Sequence, residues 1–227
     1  MPHKQVYEVL DRQKNIDKNS TILKGKIMEQ YSEYITLYVE NSELSQEIEF
    51  TYRITNIVAL GILTLKSQED IDFTKIESVT DVRSLNRFPC VLFKIEDVSV
   101  IIFKNGKMII TGLKREDQIP QIKGKIERVL LKAKINYTEF SISIQNFVAM
   151  TNLNKRINLE MACLTLLNCI YEPEQFPAAI IRDLEEGGAF LLFSNSKIIC
   201  LGIRSVEHLE TSLKNLIQQI YDYELVY

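Results

Sequence analysis

The cysteine and histidine side chains are the groups in this chain best suited to binding a metal or attacking a substrate. The sequence contains four cysteines and two histidines: Cys90, Cys163, Cys169, Cys200, His3 and His208. No two cysteines have the C-x-x-C spacing of a zinc site, and no histidine lies beside one. We therefore expect each cysteine to be a small buried hydrophobic residue in a reducing compartment. We expect no metal, no cofactor and no catalysis.

The composition indicates an ordinary globular protein. The chain has 227 residues, of which 46% are hydrophobic and 25% charged. No segment approaches the roughly 18 apolar residues of a membrane span, and the first five residues are not a secretory signal, which predicts a soluble intracellular protein without membrane contact. The net charge of −3 argues weakly against nucleic-acid binding. Residues 1–50 carry all of that excess, with 6 basic and 9 acidic residues, so overall charge does not decide the matter.

Two stretches of the chain, Val98–Gly112 and Gly188–Gly202, share a sequence pattern, which indicates an internal repeat. Matching residues lie 90 positions apart, as in Phe103/Phe193, Lys107/Lys197, Gly112/Gly202 and Asn56/Asn146, or 88 apart in Arg87-Phe-Pro and Gln175-Phe-Pro. We therefore predict an N-terminal extension at 1–49, a first repeat at 50–138 and a second repeat at 139–227.

Each repeat is predicted to contain the same elements in the same order. They are an opening strand (Tyr52–Leu60; Phe140–Met150), a short helix (Thr74–Asp81; Leu159–Leu167), a strand from Phe88 or Phe176, a hairpin at Asn105-Gly106 or Asn195-Ser196, and a long amphipathic helix (Glu116–Lys132; Val206–Tyr221). In the extension, Glu33–Glu40 alternates partly like a strand, and Gln5–Arg12 fits a short helical turn.

The hairpin strands are apolar on both faces, as in Val100–Phe103 and Phe190–Phe193. An antiparallel sheet with helices on one side usually alternates apolar and polar residues. Two long helices can cover one face only. The other face is either buried by an unrecognised part of the chain or built to receive a partner.

Residues 50–227 resemble the TATA-box-binding protein family. The segments that carry the resemblance are Arg-Phe-Pro at 87–89, Phe-Lys-Asn-Gly-Lys-Met-Ile-Ile-Thr-Gly at 103–112, Ile-Gln-Asn-Phe-Val at 144–148 and Tyr-Glu-Pro-Glu-Gln-Phe-Pro at 171–177. The resemblance implies an α+β fold in which two pseudo-symmetric repeats form one curved antiparallel sheet, a saddle with helices on its convex face. It also implies a non-enzymatic general transcription initiation factor. Members of that family bind and kink DNA through the minor groove.

The resemblance also assigns roles to individual residues. The implied DNA-intercalating wedges are Phe88, Phe103, Phe176 and Phe193. The implied base contacts are Asn56, Val58, Asn146, Val148, Thr111, Ile109, Ile199, Ile101 and Leu191. The implied phosphate contacts are Arg87, Lys94, Lys107, Arg182 and Lys197. Glu172 and Glu174 would contact a TFIIB-type factor that brings in the RNA polymerase machinery.

The chain departs from the family pattern at two of these places. Leu201 is the counterpart of Thr111, so the second repeat lacks one hydroxyl, and its discrimination of A·T from G·C would be weaker or different. Gln175 follows Glu174 where the family has an apolar residue, which puts part of the partner contact in doubt.

Other interpretations of the same residues stay open. A phenylalanine in a strand is often core, an asparagine can be structural, lysines can simply be solvated, and the acidic loop can be a plain turn. The chain could be a divergent protein-interaction module with weak DNA specificity, or an accessory domain of a nucleic-acid enzyme. Pairing of two copies through the apolar face without DNA is undecided. The expected location is the cytoplasm of an archaeal cell or the nucleus of a eukaryotic one.

Overall fold

The computed structural model describes residues 34–41, 46–66, 70–84, 88–182 and 187–227. Residues 36–227 form one compact unit. The helical turn predicted at Gln5–Arg12 and the predicted phosphate contact Arg87 lie outside the described residues.

The described residues contain eleven strands and four helices. The strands are β1 (Ile35–Asn41), β2 (Gln46–Leu65), β3 (Val82–Ser84), β4 (Cys90–Ile95), β5 (Val98–Phe103), β6 (Lys107–Leu113), β7 (Tyr137–Asn152), β8 (Cys169–Ile170), β9 (Ala178–Arg182), β10 (Ala189–Phe193) and β11 (Lys197–Ile203). The helices are α1 (Phe73–Glu77), α2 (Gln118–Lys132), α3 (Leu159–Thr165) and α4 (Val206–Asp222).

One sheet runs through both repeats in the order β3-β4-β5-β6-β2-β7-β11-β10-β9-β8, with β1 paired to β2. The central pair is the long antiparallel ladder of β2 with β7, from Tyr52 opposite Thr151 to Leu65 opposite Tyr137. The order is symmetric about this pair, because each repeat contributes a hairpin and two outer strands on its own side. The predicted α+β class with a single antiparallel sheet is confirmed.

The long helices pack on the same side of the sheet, one over each repeat. In α2 the buried residues Ile122, Ile126 and Leu130 recur every four positions, which forms the apolar stripe that its sequence predicts. Helix α4 begins after Ser205, whose hydroxyl accepts a hydrogen bond from the His208 N–H at 3.2 Å and caps the helix. Proline is tolerated in a first helical turn, and Pro120 lies in the first turn of α2 as predicted.

The two central strands each supply side chains to both hydrophobic cores. Phe50 and Tyr52, in the first part of β2, lie in the core under α4, and the rest of β2 packs under α2. Conversely, Phe140 and Phe147 of β7 lie in the core under α2. The cores of the two repeats are therefore interlocked through β2 and β7.

Part of the predicted N-terminal extension belongs to the sheet. The alternation at Glu33–Glu40 corresponds to β1, whose residues Leu37 and Val39 are buried in the same core as Phe50, while Tyr38 between them is 49% exposed. The opening strand of the first repeat accordingly begins at Gln46, earlier than predicted, because β1 gives its first residues a partner.

Several predicted boundaries were wrong. Strands β4 and β9 begin at Cys90 and Ala178, two residues after the predicted starts at Phe88 and Phe176. Pro89 and Pro177 lie between the predicted and the observed strand starts, and proline has no N–H to donate to a β-ladder. Helix α1 ends at Glu77 and α3 at Thr165, both shorter than predicted.

The expectation that all four cysteines are unbonded was wrong for two of them. Cys163 and Cys169 form a disulfide, whereas Cys90 and Cys200 are free and buried as expected. Helix α3 ends just after Cys163, and the chain turns back into β8, which brings the two Cα atoms to 4.8 Å. That separation lies within the range of disulfides.

No helix in the described part of the chain is long and apolar enough to cross a membrane.

Candidate nucleic-acid interface

The face of the sheet opposite α2 and α4, called here the open face, is apolar and half-exposed. Along β2, Ile57, Ala59 and Leu63 are buried on the helix side, and the residues between them, such as Val58 and Leu60, face the other way. The same alternation runs through the other strands. The half-exposed apolar residues are Val58, Leu60, Leu92, Ile101, Ile109, Val148, Met150, Ile180, Leu191, Ile199 and Leu201.

The strand register brings the predicted base-contacting residues of both repeats together at the centre of this face. Asn56 of β2 lies opposite Val148 of β7, and Val58 lies opposite Asn146. On the β6 side of these four residues, Val58 also lies opposite Thr111. Further pairs continue the row outward: Leu60 with Ile109, Ile101 with Ile109, Met150 with Ile199, and Leu191 with Ile199.

Each asparagine is oriented by a glycine in the neighbouring strand. The Asn56 Oδ1 accepts a hydrogen bond from the Gly112 N–H at 2.8 Å, and the Asn146 Oδ1 accepts one from the Gly202 N–H at 2.7 Å. Because a backbone N–H is a donor, the atom facing it must be the carbonyl oxygen, so the Nδ2 group is on the far side of each amide.

Gly112 and Gly202 have backbone conformations that would be strained for any other residue. Both have positive φ, +102° at Gly112 and +86° at Gly202, where the ladders shift register. A Cβ atom at Gly112 would come within 2.6 Å of the Asp97 carbonyl oxygen. The bulge turns each glycine N–H out of the ladder and toward its asparagine.

The two repeats differ in what lies beside the asparagine. In the first repeat the Asn56 amide and the Thr111 hydroxyl exchange hydrogen bonds at 3.2 Å. In the second, Leu201 occupies the position of Thr111 and has no hydroxyl. Among the described residues the Asn146 Nδ2 has no hydrogen-bond partner, so both of its N–H groups remain available on the open face.

The four predicted wedge residues lie two in each repeat, one just before β4 or β9 and one at the end of β5 or β10. Phe88 is 65% and Phe176 40% exposed, while Phe103 and Phe193 are half-buried. In the second repeat the two ring centroids are 6.2 Å apart, with the planes at 65°. Phe103 and Phe193, the less exposed ring of each repeat, each lie opposite a small buried residue of the neighbouring strand: Cys90 for Phe103 and Ala178 for Phe193. The pairs lie in opposite outer parts of the sheet.

Four of the predicted phosphate-contacting residues lie on the strands of this sheet. Lys94, Lys107 and Arg182 are exposed and Lys197 is half-buried. The register places Lys107 opposite Ile62 and Lys197 opposite Asn152, at strand ends. Within the described ranges none of the four takes part in an ion pair, so each retains its full charge for a partner.

The predicted partner loop is a tight turn with its acidic side chains in solvent. The carbonyl oxygen of Glu172 accepts hydrogen bonds from the N–H groups of Gln175 and Phe176, both at 2.9 Å. Glu172, Glu174 and Gln175 are exposed. The turn leads directly into the wedge residue Phe176, so a protein bound to the acidic loop would lie next to one end of the open face.

Ser99 and Ala189 also lie on this face and were not predicted from the sequence. Ser99 pairs with Thr111 across β5 and β6, and Ala189 pairs with Leu201 across β10 and β11. The repeat spacing of 90 residues relates Ser99 to Ala189, so the sequence carried a signal for both. Arg53 was also missed; it is half-buried on the open face opposite Met150.

The fold and this face together define a class: two-repeat proteins whose single antiparallel sheet carries helices on one side and, on the other, an apolar face with amide donors at its centre. Residues 51–133 and 141–223 both match the family described as "Transcription factor TFIID (or TATA-binding protein, TBP)". The chain belongs to the TATA-binding protein family.

Individual relatives agree with this assignment. The chain is 34% identical over 180 residues to the TATA-box-binding protein of Thermococcus kodakarensis, covering 77% of this chain and 92% of the relative. It is 35% identical over 184 residues to that of Pyrodictium occultum, covering 79% and 90%. The solved structure of Methanococcus jannaschii TBP matches with a TM-score of 0.66 at 27% identity, covering 74% of this chain and 97% of the other. This likeness confirms the predicted saddle fold.

Proposed function

We propose that this protein is a general transcription initiation factor that binds A/T-rich promoter DNA in the minor groove with its open face. The observation that carries the proposal is the orientation of Asn56 and Asn146, whose carbonyl oxygens are engaged by glycine N–H groups. Their Nδ2 groups are therefore donors at the centre of an apolar surface. In the minor groove, A·T pairs offer only acceptors. An apolar surface with central donors fits such a groove.

The phenylalanine pairs supply the means of bending. A ring can fill an opened base step without requiring a hydrogen bond, and unstacking costs a few kcal/mol per step. Phe88 and Phe176 are the more exposed rings, and Phe103 and Phe193 each lie opposite a buried residue of the neighbouring strand. We propose that each pair opens one base step, at opposite ends of the bound site.

The four cations would contact the phosphate backbone on either side of the groove. Each phosphate neutralised contributes about −0.9 to the slope of log affinity against log salt. Lys94, Lys107, Arg182 and Lys197 together would therefore give a slope of about −3.6.

The acidic loop would receive the next component of the transcription machinery. Glu172 and Glu174 are exposed and lie beside the DNA-binding face, so a basic surface of a TFIIB-type factor could contact the loop and flanking DNA together. The corresponding stretch of the first repeat, Ser-Leu-Asn-Arg at 84–87, contains no glutamate, and this difference would give the assembly a direction.

The test is the double substitution Phe176→Ala with Phe193→Ala, assayed by fluorescence transfer between dyes at the two ends of a TATA duplex. We expect loss of bending with the thermal unfolding transition retained, because Phe176 is exposed and Phe193, although half-buried, lies on the open face and outside the hydrophobic cores. Leu131→Ala is the matched control, since Leu131 is 77% exposed on α2, away from the open face. Unchanged bending in the double variant would refute the wedge role. Equal affinity for TATA and scrambled duplexes at low salt would refute DNA recognition and favour an interaction module.

A further inference from the structure

The two repeats present different hydrogen-bonding groups at equivalent positions of the open face. In the first repeat Ser99 and Thr111 face each other across β5 and β6. In the second, the pair at the same place is Ala189 and Leu201, across β10 and β11. All four side chains are half-buried, beside the central asparagines. At two positions, therefore, a hydroxyl side chain of the first repeat is replaced by an apolar side chain in the second.

The first repeat keeps acceptor capacity at this place. The Thr111 hydroxyl exchanges hydrogen bonds with the Asn56 amide at 3.2 Å, and a hydroxyl oxygen that donates once still has lone pairs to accept with. The Ser99 hydroxyl adds a second acceptor directly across the strand pair. A donor arriving from a ligand would therefore find an oxygen there.

Among its described residues, the second repeat offers no such oxygen on a side chain at this place. Leu201 and Ala189 line a depression of about 550 Å³, together with Ile180 and Leu191. Within the described lining Arg182 is the one polar side chain, and a guanidinium only donates. The Asn146 oxygen already accepts from Gly202, and its Nδ2 group is a donor. A donor pressed against this surface would lose its water and gain no side-chain acceptor.

The minor groove of DNA contains one such donor. A·T and T·A pairs present only acceptors there, whereas G·C adds the N2 amino group of guanine. A buried donor without an acceptor costs the full penalty of desolvation. Guanine is therefore tolerable opposite Ser99 and Thr111 and unfavourable opposite Ala189 and Leu201.

Given the proposed function, we propose that the second repeat accepts only A·T pairs at this position, while the first repeat tolerates a G·C pair. The specificity-determining residues are Leu201 with Ala189 and Thr111 with Ser99. The protein would bind in the orientation that places a guanine under the first repeat. A single G·C pair would therefore set the orientation of the protein on the duplex.

The test uses a self-complementary A/T duplex, whose two halves are identical, with G·C placed at the equivalent position in one half or in both. With one G·C pair the protein can still place its first repeat there, so affinity should fall about twofold, because one of two orientations is lost. With G·C in both halves, affinity should fall about tenfold or more. Inosine·C, which lacks the N2 amino group, is the control and should bind like A·T in either duplex.

Two double variants abolish the asymmetry, one by making both repeats tolerant of G·C and the other by making both intolerant. Leu201→Thr with Ala189→Ser should reduce the loss on the doubly substituted duplex to a few-fold. Thr111→Leu with Ser99→Ala should make one G·C pair cost about tenfold or more. Each variant's loss on a G·C duplex is expressed relative to its own affinity for the all-A·T duplex, and thermal unfolding checks that it is folded.

The outcomes separate this inference from the proposed function. Suppose that wild-type protein prefers the A·T duplex, but that the fold-loss of affinity with two G·C pairs is the square of the fold-loss with one. The two repeats then discriminate against guanine equally, and the inference is wrong. The same holds if the inosine duplexes bind as weakly as the guanine ones. If there is no preference for A·T over G/C-rich DNA, the proposed function fails, and the inference fails with it.

Discussion

Asn146→Asp should abolish A/T recognition while leaving the fold intact. The substitution keeps an oxygen at Oδ1, so the hydrogen bond from the Gly202 N–H, at 2.7 Å, is preserved. The opposite atom changes from an NH₂ group to a carboxylate oxygen. The open face then presents a negatively charged acceptor to a groove that, over A·T pairs, contains only acceptors.

The size of the effect follows from the bonds lost. The Asn146 amide has two free N–H groups among the described residues, each worth about 1 kcal/mol to a neutral acceptor. Repulsion between the new charge and the groove adds about 1–2 kcal/mol at an effective dielectric constant of about 20 and a separation near 10 Å. The sum, about 3–4 kcal/mol, corresponds to a loss of affinity of roughly 150- to 700-fold.

Asn146→Ala is the informative companion variant. It removes the oxygen as well, so the Gly202 N–H loses its partner; because this hydrogen bond is exposed and water can replace it, stability should fall by only about 0.5–1.5 kcal/mol. Fluorescence anisotropy with an A/T duplex and urea unfolding would be measured on both variants. Unimpaired DNA binding by Asn146→Asp would show that the amide donors do not read the groove. A large loss of stability in Asn146→Asp would show that the carbonyl orientation is not what holds this site.

Two further predictions concern stability. Burial, and then the 2.7 Å hydrogen bond to Glu210, raise the pKa of Tyr52 above its ordinary value. The neutral phenol therefore stabilises the fold below about pH 10, and this contribution is lost as the pH rises through the raised folded value. Tyr52→Phe should cost about 1–2 kcal/mol near pH 8 and show a weaker alkaline loss than wild type in urea unfolding; an identical alkaline profile would contradict this. Leu37→Ala should cost about 2–4 kcal/mol in the same assay and Tyr38→Ala less than about 0.5, because only Leu37 is buried; equal losses would contradict its place in the core.

Much of the architecture could be predicted from the sequence because its signals are local and duplicated. The Asn105-Gly106 turn fixes a hairpin, and apolar residues at spacings of three and four fix the long helices. The apolar character of both strand faces predicted that the two long helices would leave one face uncovered, and among the described residues α2 and α4 do pack on one side of the sheet only. The repeat spacing of 90 residues relates most site residues of one repeat to those of the other.

The remaining features depend on contacts between distant parts of the chain. The bond from Gly112 to Asn56 joins residues 56 positions apart, and only the strand register brings them together. The Cys163–Cys169 disulfide requires the chain to turn back after a short helix, which a sequence separation of six does not dictate. The core position of Leu37 required knowing that β1 pairs with β2. The roles assigned to the site residues stay predictions until DNA binding is measured.

The interlocked central strands bear on how a protein of this kind can be divided. Phe50 and Tyr52 complete the core under α4, and Phe140 and Phe147 complete the core under α2. A fragment carrying one repeat would leave part of its interior uncovered unless a second fragment supplied the missing strand, so its folding would depend on protein concentration. Fusing the repeats makes that encounter intramolecular. The joined chain can therefore remain folded at copy numbers where separate halves would dissociate.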